Sequence, residues 1–286
     1  MVRWRLLSAA VGIPVGVALV WVGGVPFAVA VWALAAMGLW ELAQGLRQRD
    51  IVVLKEIAFP CTLAWLVGAH RAHDAPAALF HLWVGMAALT LFGSMTAHIF
   101  WRRGEPVPAG WRLHSIAATV FSALYISMFA FPLLLRHWSA QGEGAGRAIV
   151  LTLLATVWGT DATAFFVGTH MGKHPIAPQV SPGKTVEGAL SGIAGGVVAA
   201  VLCWWVLSAF KAAPSVPLPT VALFAVVVSA VGQLGDLGKS VLKRDLGIKD
   251  FGALIPGHGG VLDRFDSLLI TAPLVYFTAL WRWGAP

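Results

Sequence analysis

Val221–Ser267 reads VALFAVVVSAVGQLGDLGKSVLKRDLGIKDFGALIPGHGGVLDRFDS. The first residues carry no charge and suit a helix inside a bilayer. At Gly232-Gln233-Leu234-Gly235-Asp236 the stretch turns polar. It then packs Lys239, Lys243, Arg244, Lys249 and Arg264 among Asp245, Asp250, Asp263 and Asp266. Ionisable groups in or beside membrane helices are costly and tend to be functional. The stretch therefore predicts an apolar helix that emerges into a polar working site.

The rest of the chain supports the membrane half of that reading. Of 286 residues, 58% are hydrophobic and 12% charged, against about 25% charged in soluble domains. Apolar runs fall at about 5–22, 25–46, 52–69, 76–99, 113–136, 147–170, 187–210, 219–243 and 266–283. A bilayer core of about 30 Å needs roughly 20 helical residues, so these predict an all-α, polytopic integral membrane protein with about nine transmembrane helices. The third run, interrupted by Pro60, is the weakest. The runs are continuous, not alternating, which disfavours a β-barrel. The first run is read as a membrane helix, not a cleaved signal peptide, because no convincing cleavage site precedes the next run. No repeat divides the chain. A single transmembrane domain over 1–286 is expected, with N-terminal helices over 1–136 and a motif-bearing half over 147–286.

With nine crossings and the N-terminus inside, fifteen of the Lys and Arg residues fall on the inner side and five on the outer. The positive-inside rule then favours N-in, C-out, placing loops 170–187 and 237–265 in the cytoplasm. The net charge of +7 is ascribed to loops facing anionic lipid and to a phosphate site, not to nucleic acid. Cys61 and Cys203 have no metal or redox spacing and read as buried filler. The scattered His70, His73, His81, His98, His114 and His137 read as structural or interfacial. Glu41, near the end of the second run, carries no assigned role.

Two constellations carry chemistry. In the first, Asp236, Lys239, Ser240 and Lys243 fall at helical spacing and share a face, as do Asp263 and Asp266. Bringing Asp236 near Asp263 would create a two-carboxylate site, a common way to hold Mg²⁺ together with substrate phosphates. His258, between glycines, is expected to face a ligand. Zinc is disfavoured, since no second His or Cys lies at ligand spacing. In the second, WGTDATAFFVGTHMGKHPIAPQVSPGKTVEG over 158–188, Asp161 sits inside an apolar helix. Ser181-Pro182 is expected to start a helix as N-cap and first residue. Lys184 and Thr185 would then lie in its first turn, where free N–H groups favour phosphate. The GKT triplet is no P-loop: Pro178 stands where the first glycine is required.

These residues resemble the phosphatidate cytidylyltransferases, or CDP-diacylglycerol synthases. The resemblance lies in Ser240, Lys243, Arg244, Lys249, Asp250, Pro256, Gly257, His258, Gly259, Gly260, Asp263, Arg264 and Asp266, and upstream in Asp161, Ala164, Phe165, Gly168, Ser181, Lys184, Thr185, Glu187 and Gly188. It covers about 158–267. One departure is Thr169-His170, where similar proteins carry a basic residue.

The resemblance implies that CTP and phosphatidic acid give CDP-diacylglycerol and pyrophosphate, by in-line attack of a phosphate oxygen on the α-phosphorus. It implies Mg²⁺ on Asp236 and Asp263 and allows a monovalent cation such as K⁺ beside it. Asp236, Asp263, Lys243, Arg244, His258 and Asp266 are the expected catalytic set. Ser181, Lys184, Thr185, Lys239, Ser240, Lys249, Asp250, Gly259, Gly260, Arg264 and Asp161 are expected to bind substrate. Expected partners are CTP, phosphatidic acid and membrane lipid, without nucleic acid, and a homodimer is left open. The expected location is a bacterial inner membrane with the site facing the cytoplasm. Two alternatives stand: another CTP-dependent lipid enzyme, of the polyprenol kinase or CDP-archaeol synthase type, and an ion-coupled transporter. A transporter would spread its charges across the midplane, whereas these cluster toward one side.

Overall fold

The computed structural model describes residues 2–100, 107–139, 141–142, 144–252 and 259–284, with side chains from residue 10 onward. The chain is almost wholly helical: α1 (Val2–Val22), α2 (Gly24–Arg47), α3 (Lys55–Arg71), α4 (Pro76–Phe100), α5 (Trp111–Ser127), α6 (Ala130–Arg136), α7 (Ala145–Met171), α8 (Val186–Ala209), α9 (Leu218–Leu246) and α10 (Leu262–Trp283). Among the described residues, six spans are long and apolar enough to cross a membrane: α2, α4, α5 with α6, α7, α8 and α9. This is an integral membrane protein.

The observed helices follow the predicted runs, with two departures. The fifth run is split into α5 and α6. Met128, Phe129 and Phe131 donate to carbonyls three residues back, tightening the turn, and Pro132 has no N–H to continue the ladder. Second, the fold is not purely helical. Strands β1 (Pro175–Ala177) and β2 (Ser181–Thr185) form a small antiparallel hairpin with Pro175 opposite Thr185 and Ala177 opposite Ser181.

Packing differs along the chain. The α7–α8 contact is made by a stripe of buried glycines, Gly188, Gly192 and Gly196, one turn apart. A Cβ on Gly192 would lie 3.0 Å from Ala164 Cβ and 3.1 Å from the Thr160 carbonyl. Small residues at four-residue spacing let two backbones approach closely where lipid supplies no hydrophobic drive. Thr160 of α7 donates to Ser229 of α9 at 2.8 Å, tying a third helix to the pair.

One end of the bundle gathers the polar loops. Arg244 Nε donates to the Val180 carbonyl of the hairpin turn at 3.0 Å, and Arg49 Nε to the Leu246 carbonyl at 3.0 Å. Gly247, in left-handed backbone at φ 70°, closes α9 there. At the opposite end, Arg136 Nε donates to the Val20 carbonyl at 2.6 Å and Arg147 lies over the Trp21 ring. That end also gathers three of the histidines read as scattered. His70 and His137 share a hydrogen bond of 3.0 Å, and His73 stacks on His137 at 4.2 Å between ring centres. Burial first, then His73, His70 and Arg136, hold the His137 imidazole down at about 4, so it is neutral at pH 7.

Candidate active site

The two predicted constellations meet at the polar end. Asp236 and Lys239 share a face of α9 as their spacing requires. Asp263 and Asp266 stand in the first turns of α10, opposite them. Lys239 Nζ lies 3.2 Å from Asp236 Oδ1 and 3.9 Å from Asp263 Oδ1, and pairs with Asp266 as well. It also donates to the Asp263 carbonyl at 3.1 Å. Its side chain is only 4% exposed. A buried ammonium is stable only with carboxylates this close: removing one partner of a buried pair costs about 3–5 kcal/mol.

Lys184 arrives from the hairpin. Its Nζ lies 2.5 Å from Asp236 Oδ2, so 158–188 and 236–266 build one site. Asp161 of α7 lies within electrostatic reach of Asp236, Lys184, Lys239 and Arg264. Lys243, one turn beyond Lys239, donates to Asp263 Oδ1 at 2.9 Å. Asp263 Oδ2 accepts from the Phe251 N–H at 2.9 Å and the Gly260 N–H at 3.2 Å. Asp263 thereby holds Phe251 and Gly260 beside the start of α10.

The other expected residues divide. Ser240 donates its hydroxyl to the Asp236 carbonyl at 2.8 Å, within α9. Arg244 is spent on the hairpin, on the outer side of α9. Lys249, Asp250 and Arg264 are exposed around the mouth. Gly259, in left-handed backbone at φ 82°, sits against Asp250 and Asp263: a Cβ there would lie 3.3 Å from Asp263 Oδ2. His258, Pro256 and Gly257 lie outside the described residues.

The start of α8 differs from its predicted form. Ser181 and Pro182 belong to β2, and Thr185, in extended backbone, is the N-cap, its hydroxyl accepting from the Gly188 N–H at 3.2 Å. Strand pairing with β1 holds 181–185 extended and delays the helix to Val186. Lys184 therefore acts from a strand end, not from a helical first turn. Glu187 accepts from the Lys173 N–H at 3.0 Å and the His174 N–H at 3.3 Å and pairs with His174 Nδ1, fixing the entry to the hairpin. Thr169 and His170, the departure from the usual basic residue, bond to the Phe165 and Phe166 carbonyls of their own helix.

The donor set suits a hard cation: carboxylate oxygens from α9 and α10, with no thiol or imidazole among the described side chains of the cluster. Asp236 is the more open carboxylate, its side chain 32% exposed against 4% for Asp263. Among the described residues no three His, Cys, Asp or Glu groups already stand in ligand geometry. The lysine ammonium groups face the carboxylate oxygens instead.

Sequence reasoning missed Glu41. This α2 residue is fully buried, and its carboxylate accepts from the Val261 and Leu262 N–H groups at 3.0 Å each. The only signal available was a lone acid in an apolar helix.

An apolar groove of about 440 Å³ runs between α7, α8, α9 and α10, lined by Ile149, Trp204, Val221, Phe224 and Val275. It lies toward the opposite end, beyond the Thr160–Ser229 bond, and is separate from the charged cluster.

The fold and this cluster define a class: membrane proteins with lysines and carboxylates gathered at one end of a helical bundle. The cytidylyltransferase family profile matches residues 3–281. The chain belongs to that family and is a nucleotidyltransferase. It is 29% identical to the phosphatidate cytidylyltransferase of Bacillus subtilis over 278 residues, 96% of each chain. It is 32% identical to that of Synechocystis, covering 96% of this chain and 94% of the relative. It is 30% identical to that of Pseudomonas aeruginosa over the whole length of both.

Proposed function

We propose that this protein is a CTP:phosphatidate cytidylyltransferase, forming CDP-diacylglycerol and pyrophosphate. The observation that carries the reading is the Lys184–Asp236 pair. It joins the hairpin and the α9–α10 cluster into one site, in a chain similar along its whole length to enzymes named for that reaction.

The chemistry needs no protein nucleophile. A phosphatidate oxygen attacks the α-phosphorus of CTP and pyrophosphate leaves in line, so catalysis is mainly positioning and charge neutralisation. Lys184, Lys239 and Lys243, now paired with carboxylates, would turn toward phosphate oxygens as substrates arrive. Lys249 and Arg264 at the mouth would draw the nucleotide in. Asp161 would lie against the same phosphates through the lysines that screen it. Asp236 and Asp263 would hold Mg²⁺, with room for a monovalent cation beside it. Bound there, Mg²⁺ would neutralise phosphate charge and steady the leaving pyrophosphate. The site would face the cytoplasm of a bacterial inner membrane, where CTP is available, and the lipid would enter sideways between helices.

The test is an assay of purified protein in detergent with labelled CTP, phosphatidate and Mg²⁺. Release of pyrophosphate with a CDP-lipid product supports the reading. Release of CDP with a phosphorylated lipid would show a kinase instead, and a product formed only from another lipid would change the substrate. Cysteines placed in 247–252 should label only from the cytoplasmic side, and labelling from the opposite side would overturn the orientation.

A further inference from the structure

We infer that Glu41 is a positioning residue that sets the start of α10, and with it Asp263 and Asp266, for nucleotidyl transfer. The inference rests on the reading above. Helix α10 begins without a cap of its own: Val261 occupies the N-cap and offers no side-chain acceptor. Its first amides would be orphans inside the protein. Glu41, 220 residues earlier in the chain, supplies the missing acceptors through Oε1 to Val261 and Oε2 to Leu262. The helix dipole also favours a carboxylate there.

Three consecutive amides are thus divided between two carboxylates. The Gly260 N–H goes to Asp263, and the Val261 and Leu262 N–H groups go to Glu41. That division leaves Asp263 Oδ1 facing Lys243. Without Glu41, Asp263 becomes the nearest carboxylate able to cap its own helix, and turning inward to do so withdraws it from the lysine. The face of α2 is shaped for this contact. A Cβ on Gly38 would lie 3.2 Å from Leu262, and one on Gly45 3.2 Å from Phe251. Gly252 and Gly260 fold directly over the Glu41 carboxylate, which a Cβ on either would strike. A serine or threonine at position 261 could cap the helix without burying a charge. Reaching from another helix is costlier, but it fixes α10 relative to α2 in both distance and register.

The experiment compares Glu41→Gln, Glu41→Ala and Gly38→Ala in detergent. Gly38→Ala perturbs the same helix contact without touching the amides. The expected result for Glu41→Gln is a kcat lower by at least about tenfold, a loss of roughly 1.4 kcal/mol or more, with the KM for CTP within about threefold and a melting temperature close to that of Gly38→Ala. Glu41→Ala should lose more. Equal kcat for Glu41→Gln and Gly38→Ala at matched melting temperature would reduce Glu41 to a structural cap and overturn the inference. Hydrogen exchange of the 259–266 peptide needs no substrate and separates this failure from that of the parent reading. Faster exchange there in Glu41→Gln, with the rest of α10 unchanged, is expected. Wild-type-like exchange overturns the positioning role whatever the enzyme's substrates prove to be.

Discussion

The helices before residue 140 and those after it solve the burial of polar groups in different ways. In the first half the buried polar side chains are mostly hydroxyls, and several of them return to their own helix. Thr90, Ser94 and Thr119 each donate to the carbonyl four residues back, at 2.7 Å in every case. In the second half charge enters the bundle, buried at Lys239, Asp263 and Asp266 and half-buried at Lys184 and Asp236, and it is partnered across elements: Lys239 of α9 with Asp263 and Asp266 of α10, Lys184 of the hairpin with Asp236 of α9. A hydroxyl satisfied within its helix says nothing about where the next helix must lie. A buried ion pair holds two elements at hydrogen-bond distance. On the proposed reading the first half serves as a scaffold, and the second carries the candidate site, whose parts specify one another. Glu41 is the exception, a buried carboxylate of the scaffold committed to the site.

The sharpest way to break this contrast is at the carboxylates. Asp263→Asn or Asp236→Asn should lower turnover on the order of 10²–10³-fold or more, the scale of losing a preorganised electrostatic contact, while folded protein is still recovered. Wild-type turnover in both variants at limiting Mg²⁺ would remove these groups from the chemistry. Next in size is Lys184→Met, which keeps the apolar stem. A charge-assisted contact is worth roughly 1.5–3 kcal/mol, so kcat or CTP affinity should fall about 10- to 200-fold. Lys55→Met, at the start of α3 in the scaffold, should behave as wild type. Matching kinetics for the two, measured at saturating and limiting CTP, would mean the hairpin is not part of the site.

The glycine stripe gives a smaller effect of a different kind. Gly192→Leu forces α7 and α8 apart, and overpacking of this sort costs about 1–3 kcal/mol. A lower melting temperature is expected, with activity lost in step with α8 displacement. An unchanged melting temperature would show that the two helices are free to separate. The smallest effect is expected from Ser94→Ala in the scaffold. Its hydroxyl donates only to the Thr90 and Leu91 carbonyls of its own helix, and membrane hydrogen bonds of this kind average about 0.6 kcal/mol. A melting shift near the error of the measurement and unaltered kcat should result. A kinetic defect would mean that α4 is coupled to the site as well as α2.

The positions of most helices were legible in the sequence because helix formation and membrane burial are local: backbone bonds span four residues, and hydrophobicity accumulates along one run. The shared face of Asp236, Lys239 and Lys243 followed from the same geometry, as did the pairing of Asp263 with Asp266 on α10. The start of α8 was misjudged because Ser181-Pro182 is a good local helix start that loses to a strand partner at Pro175. The stripe Gly188-Gly192-Gly196 was present to be read, but which helix it receives is a question of packing. Three further matters belonged to the tertiary structure alone. Lys184 meets Asp236, Arg244 holds Val180, and Glu41 caps α10. Each depends on helices from distant parts of the chain stopping at the same depth and facing the same way. The sequence by itself determined a membrane bundle with one charged end and named most of the residues there. Which charge touches which was decided by packing at ångström scale, because an ion pair or a capped amide exists only within about 3 Å and no residue spacing encodes that distance between separate helices.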